Sequence, residues 1–469
     1  MNEIHDHAYV YKGYEAFWRM FELSNNLEAS LQNGREHGFP YLIRCDLCDP
    51  QAQGQKPITF LRQVVSVCAH AGVAENMPKD VVERAREILD KCPGRSVGSM
   101  DLQGHPTIRT HIAEFISKKD SVQAAAENIW ITHGVMHGVS IVLQVLKRRL
   151  NGEKAGALTC IPQYMGFHDV FKQEGYYLAC YCLDEDHGWA HDTTAMQKAL
   201  DASRMKCKPR CLVLVNPGNP SSTVLSTQQI EDIVEFAYKN QLVILADEVF
   251  QDNWFCKERP FRSVRAVMNE MDPPYSRTPL VTFHSLAKGF IAEAGFWVGY
   301  LEAINLDSTD RRNLESAMTL SKVPLLTQVA LDCMVKPPQL AEPSYDLYNK
   351  EKTSIMESLA ERARLAEEKV NAIEGMHCSP IQGATSAYVR VHIPEKAIEE
   401  AQRQGKGPDE FYAEELLKRK GVCVTPGSGF GRLPGRFHIR ITILPPREQL
   451  LELLDRLESF HKELMVKYQ

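Results

Sequence analysis

No run among the 469 residues is long and apolar enough to span a bilayer. The opening stretch, MNEIHDHAYVYKGYEAFW, carries early acids and aromatics and lacks both a signal-peptide apolar region and an Arg/Ser-rich transit pattern, so the expected compartment is the cytosol. Excess positive charge is missing as well. Lys and Arg number 54 against 60 Asp and Glu, for a net charge of −6 and a pI near 6.3, which offers neither nucleic acid nor an anionic membrane a reason to bind. Internal repeats and low-complexity tracts are absent, which excludes solenoids and disordered linkers. Cysteine is plentiful at 13, yet only Cys45 and Cys48 form a CxxC, and no second pair stands at zinc-ligand spacing. No metal site is expected, and the thiols read as free, mostly buried small hydrophobes in a reducing compartment.

What is present is an ordinary globular composition, 44% hydrophobic and 24% charged, in a chain long enough for two or three packed subdomains. The middle alternates short β-branched apolar runs with helical patterns, which predicts a largely parallel sheet with helices on its faces. NIWIT, ending at Thr132, is a strand followed by the helical GVMHGVSIVLQVLKRRL. CLVLVNP, LVILAD and PLVTFHS (211–217, 242–247, 279–285) read as buried strands. Ser226 and Gln229 have capping-box spacing before the helix IEDIVEFAYKN.

The last third changes character: a long amphipathic pattern (347–373), strand-like ATSAYVRVHI, VCVTPG and RFHIRITIL, then a terminal amphipathic helix. A Pro-rich bridge, MVKPPQLAEPSYD (334–346), is the expected joint. The division expected is an N-terminal arm and first part of a small domain (1–75), a large domain (76–335) and a C-terminal small α+β domain (336–469).

Three strand ends carry polar residues together: NPGNPSS (216–222), ADEVF (246–250) and HSLAKGF (284–290). Carboxyl ends of neighbouring parallel strands are where an open α/β sheet places a ligand. A lysine there, once desolvated, is a nucleophile toward an aldehyde. An aspartate there can keep a pyridine nitrogen protonated, and an asparagine can bond a ring oxygen. THGVMHG puts backbone N–H groups and a helix dipole where a phosphate would sit.

In order and context, NPGNP, ADEV-aromatic, HSxxKG and FHxRxTILPP resemble the alanine aminotransferases, a fold-type I group that uses pyridoxal 5'-phosphate. LCDPQAQGQKPITFLRQV and CVTPGSGFG extend the likeness over nearly the whole chain from about residue 40 onward. The resemblance implies a PLP-transferase type I fold: a three-layer large domain with a mostly parallel sheet, and a smaller α+β domain. It implies amino acid and 2-oxo acid substrates and a homodimer. By position, Lys288 resembles the Schiff-base lysine that also moves the substrate α-proton, and Asp247 the acid at the pyridine nitrogen. Asn219 matches the partner of the ring 3-oxygen and lines the substrate side, and Tyr164 matches the stacking aromatic. Ser285 matches a phosphate-binding hydroxyl, Gly134, Val135 and Met136 form the phosphate loop, and Arg440 matches the clamp on the substrate α-carboxylate, a role that needs a planar bidentate donor.

Departures cluster at the cofactor. Phe250 stands where the family has tyrosine, Trp297 where it has a phosphate-binding arginine, Val135-Met136 for Ala-Ser, and Ala287 for serine. Cys48 replaces a glycine beside the substrate carboxylate, and the usual Tyr-Ser pair is missing around GSMDLQGHP (98–106). Each charge-assisted hydrogen bond is worth about 1.5–3 kcal/mol. Losing three would weaken cofactor binding by roughly three to six orders of magnitude if the losses added. The expected function is amino transfer from a donor such as L-alanine to 2-oxoglutarate. The alternatives are a catalytically weak or inactive relative on the same fold, and a PLP enzyme of other amino-acid specificity.

Overall fold

The computed structural model describes residues 10–98, 103–148, 150 and 152–469. Part of the 98–106 segment, and of the opening stretch, lies outside the described residues. In chain order the strands are β1 (Ile43–Arg44), β2 (Ile129–Thr132), β3 (Ala155–Ile161), β4 (Tyr177–Cys182), β5 (Lys208–Val215), β6 (Val243–Asp247) and β7 (Leu280–Ser285). Then come β8 (Gly299–Ile304), β9 (Met376–Cys378), β10 (Ser386–Val391), β11 (Val422–Cys423), β12 (Thr425–Pro426) and β13 (His438–Thr442).

Seven strands form the central sheet in the order β2-β8-β7-β6-β5-β3-β4. All run parallel except β8, which lies antiparallel between β2 and β7. The strands read as unbroken apolar runs because both faces are covered. On one face Cys211, Val213, Val243 and Leu245 pack with Val139, Val142 and Leu146 of the helix Gly134–Lys147. On the other, Leu212, Leu214, Ile244 and Ala246 pack with Ile230, Ile233 and Val234 of the helix Thr227–Lys239. The alternation of β5 and β6 residues between two cores makes three layers.

A second sheet, β12-β13-β10-β9, is antiparallel and packs its apolar side against the helices Tyr345–Asn371 and Arg447–Lys467. The parallel pair β1–β11 ties Ile43 and Cys45 into this same core. Ile58, Leu61 and Val64, by contrast, pack against the helices Lys79–Leu89, Pro106–Asp120 and Leu325–Val335 beside the central sheet. The Pro-rich bridge falls between the helices Leu325–Val335 and Tyr345–Asn371. The carboxyl ends of β2, β3, β5, β6 and β7 therefore share one edge of the central sheet.

Candidate active site

Each side chain at that edge is held by local backbone. After β5 the chain closes a turn in which Gly218 N donates to Thr223 O (2.9 Å) and Ser222 N to Gly218 O (3.0 Å), presenting Asn219. Asp247 ends β6 fully buried. Among the described residues its Oδ1 accepts from Val249 N (3.2 Å), and burial pushes its proton affinity up, to a pKa of about 7, against the opposing pull of nearby Lys288. Lys288 follows the end of β7, and Gly289 after it takes φ +71°, a left-handed turn that frees the lysine from the strand direction.

Arg440, on β13, reaches this edge from the second sheet. Its Nη1 donates to Asn219 Oδ1 (3.4 Å), and its Nη2 to Asp46 O (3.3 Å) and Thr425 Oγ1 (3.4 Å), all at the long end of hydrogen bonding. The side chain is 4% exposed, its Nε has no partner, and no carboxylate pairs with it among the described residues. A buried guanidinium without a counter-ion is costly, so the pocket is built for an anion.

Tyr164, just past β3, donates or accepts in a 3.0 Å bond with the hydroxyl of Tyr14, a partner 150 residues away that the motifs did not point to. Burial raises the proton affinity of both phenols, and the Arg440 charge opposes it. The Met136 sulfur turns toward this ring: a Cβ on Gly166 would meet Tyr164 Cε1 at 2.6 Å and Met136 Sδ at 3.2 Å.

The start of the helix after β2 is different. Gly134, at φ +74°, opens the helix Gly134–Lys147, so first-turn N–H groups face the site. A Cβ on Gly134 would lie 4.0 Å from Trp297 Nε1, so an indole N–H stands over the loop where the family has a guanidinium. Trp297 is 67% exposed and left-handed, at φ 47°. Ser285 Oγ donates to Val298 O (3.2 Å) and accepts from Ala287 N (3.1 Å), so its hydroxyl proton is already spent on backbone. Val135 packs against the apolar cluster of Val249, Phe250 and Ala384, a methyl-rich wall in place of phenol and hydroxyl.

A family model, Aminotransferase class I and II, matches residues 69–457. The chain belongs to the class I and II aminotransferases. It is 40% identical to alanine aminotransferase 2 of Xenopus laevis over 94% of this chain and 83% of that one. To human alanine aminotransferase 1 it is 38% identical over 94% and 90%. Among solved structures, an alanine aminotransferase from Pyrococcus furiosus superposes with a TM-score of 0.74 at 20% identity, over 96% and 97% of the two chains. A tyrosine aminotransferase from Leishmania infantum gives 0.71 at 19%, over 90% and 92%, a likeness of fold.

The family's cofactor is pyridoxal 5'-phosphate, and this aminotransferase fits it unevenly. The ring end has a buried acid with one backbone partner and a lysine beside it, as a basic ring nitrogen and an aldehyde require. The phosphate end offers helix N–H groups and an indole, all neutral.

Proposed function

We propose that this chain transfers the amino group of a small amino acid such as L-alanine to 2-oxoglutarate, with pyridoxal 5'-phosphate held by Lys288. One observation carries the reading: a lysine beside a buried acid shares a sheet edge with a buried arginine that no carboxylate pairs with among the described residues. The bound cofactor would supply an electron sink for the bond broken at the substrate α-carbon. Asp247 would face its ring nitrogen, Asn219 its ring oxygen, Tyr164 its face, and the N–H groups of Gly134, Val135 and Met136 its phosphate. Arg440 would clamp the substrate α-carboxylate through two parallel charged N–H donors. Lys288 Nζ, freed on substrate entry, would then carry the α-proton.

A homodimer in the cytoplasm belongs to the same reading, supported by Trp297 lying open beside the phosphate loop and by thirteen cysteines that form no disulfide. The division at 335 belongs to it too, supported by the separate cores of the two sheets, while Ile58, Leu61 and Val64 pack on the large-domain side of the division at 75. The neutral phosphate end favours a second reading, a weakly loaded relative with little turnover.

Pyruvate release from L-alanine and 2-oxoglutarate, at added cofactor, separates the two. Wild type turns over, Lys288→Ala does not, and Arg440→Ala loses about ten- to a hundredfold in kcat/KM for every amino acid alike, because the α-carboxylate is common to all. No pyruvate at saturating cofactor removes the first reading. A loss confined to one donor removes the clamp.

A further inference from the structure

We infer that Glu185 is a positioning residue for the carboxylate clamp: it ties His438 to the loop after β4 and so fixes the strand from which Arg440 reaches the site. This rests on the transaminase reading, in which Arg440 holds the substrate α-carboxylate.

The polar contacts of Arg440 are all long, at 3.3–3.4 Å, so they do not by themselves fix its guanidinium. Its place is set by β13. On that strand Ile439 and Ile441 enter the apolar core, while His438 and Arg440, two residues apart, lie on the opposite face. Across the ladder Tyr388 stands opposite Arg440, and its ring stacks on His438 at 4.6 Å with an interplanar angle of 4°. The Arg440 guanidinium lies 4.8 Å from the centre of the Phe430 ring.

The loop between β4 and the helix Thr193–Ser203 meets this face. It is closed at its neck, where Asp184 N donates to Ala190 O (3.0 Å) and Ala190 N to Asp184 O (3.2 Å). Glu185, 5% exposed, projects from it. Its Oε1 lies 3.0 Å from His438 Nε2, and its Oε2 accepts from Arg436 Nη1 at 3.1 Å. A carboxylate only accepts, so His438 Nε2 carries the proton of that bond. Burial opposes the Glu185 charge, yet the His438 bond and the His438, Arg390 and Arg436 charges outweigh it and hold the carboxyl below its usual range. From the same loop the Trp189 ring lies 5.5 Å from Tyr388 and 5.7 Å from His438, and it lines a small cavity together with Asn219, the side chain that Arg440 Nη1 contacts. The clasp therefore joins the central-sheet side of the site to β13. Charge-assisted bonds are about twice as strong as neutral ones, so removing the Glu185 charge loosens it. A shift of about 1 Å in a substrate-positioning group can cost on the order of a hundredfold.

Cofactor-loaded wild type, Glu185→Gln, Arg440→Ala and the double variant are compared for KM and kcat with L-alanine and 2-oxoglutarate, and for cofactor Kd by absorbance titration. Glu185→Gln raises KM for both substrates by about tenfold and leaves kcat within about threefold, because the α-carboxylate is common to both. Cofactor Kd stays within about twofold of wild type. In the Arg440→Ala background the same substitution changes kcat/KM by less than about twofold, since the group it positions is gone. His438→Gln, which opens the clasp from the other side, repeats the pattern. The proposal is overturned if KM is unmoved, if kcat falls alone, if cofactor Kd shifts as far as KM, if the loss is the same with and without Arg440, or if neither Glu185→Gln nor His438→Gln folds. Wild type that neither takes up cofactor nor transfers an amino group, or Arg440→Ala indistinguishable from wild type, overturns the parent reading, and this one with it.

Discussion

Desolvation decides what the buried residues at the sheet edge can do. Asp247 is an acid with a pKa of about 7 in the cofactor-free protein, because burial outweighs one backbone N–H and the Lys288 charge. The sign of the consequence is fixed. A carboxyl whose proton affinity is higher folded than unfolded stabilises the fold below its unfolded pKa, and that stability is lost as pH rises through about 7. Buried His168 and His284, with pKa values lowered to about 3, work in the opposite direction, so the raw stability curve does not isolate Asp247. The difference between Asp247→Asn and wild type does. In cofactor-free protein the variant should gain on wild type by about 1 kcal/mol per pH unit between pH 4 and 7, read by denaturant unfolding. A flat difference would mean that Asp247 is solvated. At this scale the motifs pointed to Lys288, Asp247, Asn219 and Arg440, because the chemistry of each motif is local. The bond between Tyr14 and Tyr164 was not legible: it is a 3.0 Å contact between residues 150 positions apart, and nothing in the spacing encodes that.

Among the elements, legibility followed the strength of local rules. The Ser226–Gln229 capping box forms in both directions, with Gln229 N donating to Ser226 Oγ (3.2 Å) and Ser226 N to Gln229 Oε1 (3.0 Å). Ser226→Ala should therefore cost about 1 kcal/mol, seen as a lowered denaturation midpoint at unchanged m-value; no loss would mean solvent caps the helix as well. The strand expected over 211–217 runs Lys208–Val215 and stops short of Pro217, which has no N–H for a ladder. The helix expected over 347–373 spans Tyr345–Asn371. Antiparallel β8 was not visible, since an apolar run buried on both faces carries no mark of direction. VCVTPG read as one piece, yet its two halves join different sheets. That split brings Thr425 beside Arg440 on β13 and Cys423 beside Arg44 on β1.

Across the whole molecule, the proposed site draws on both ends of the chain as well as its middle. Cys48 comes from the first fifty residues, Asn219, Asp247 and Lys288 from the ends of central-sheet strands, and Arg440 from the second sheet. The motifs that carry them are collinear, which is why the fold was readable despite Phe250, Trp297 and Met136. Those departures concentrate at one end of the cofactor pocket, so retention of the cofactor is the point on which the function turns. The direct measurement is titration of pyridoxal 5'-phosphate into purified wild type, Lys288→Ala and Trp297→Arg, following absorbance beyond the protein's own band. A saturable new band in wild type, its absence in Lys288→Ala, and affinity about ten- to a hundredfold tighter in Trp297→Arg are the predicted results. An unchanged wild-type spectrum at saturating cofactor, or a band that survives Lys288→Ala, would contradict the assignment of Lys288 as the residue that holds the cofactor.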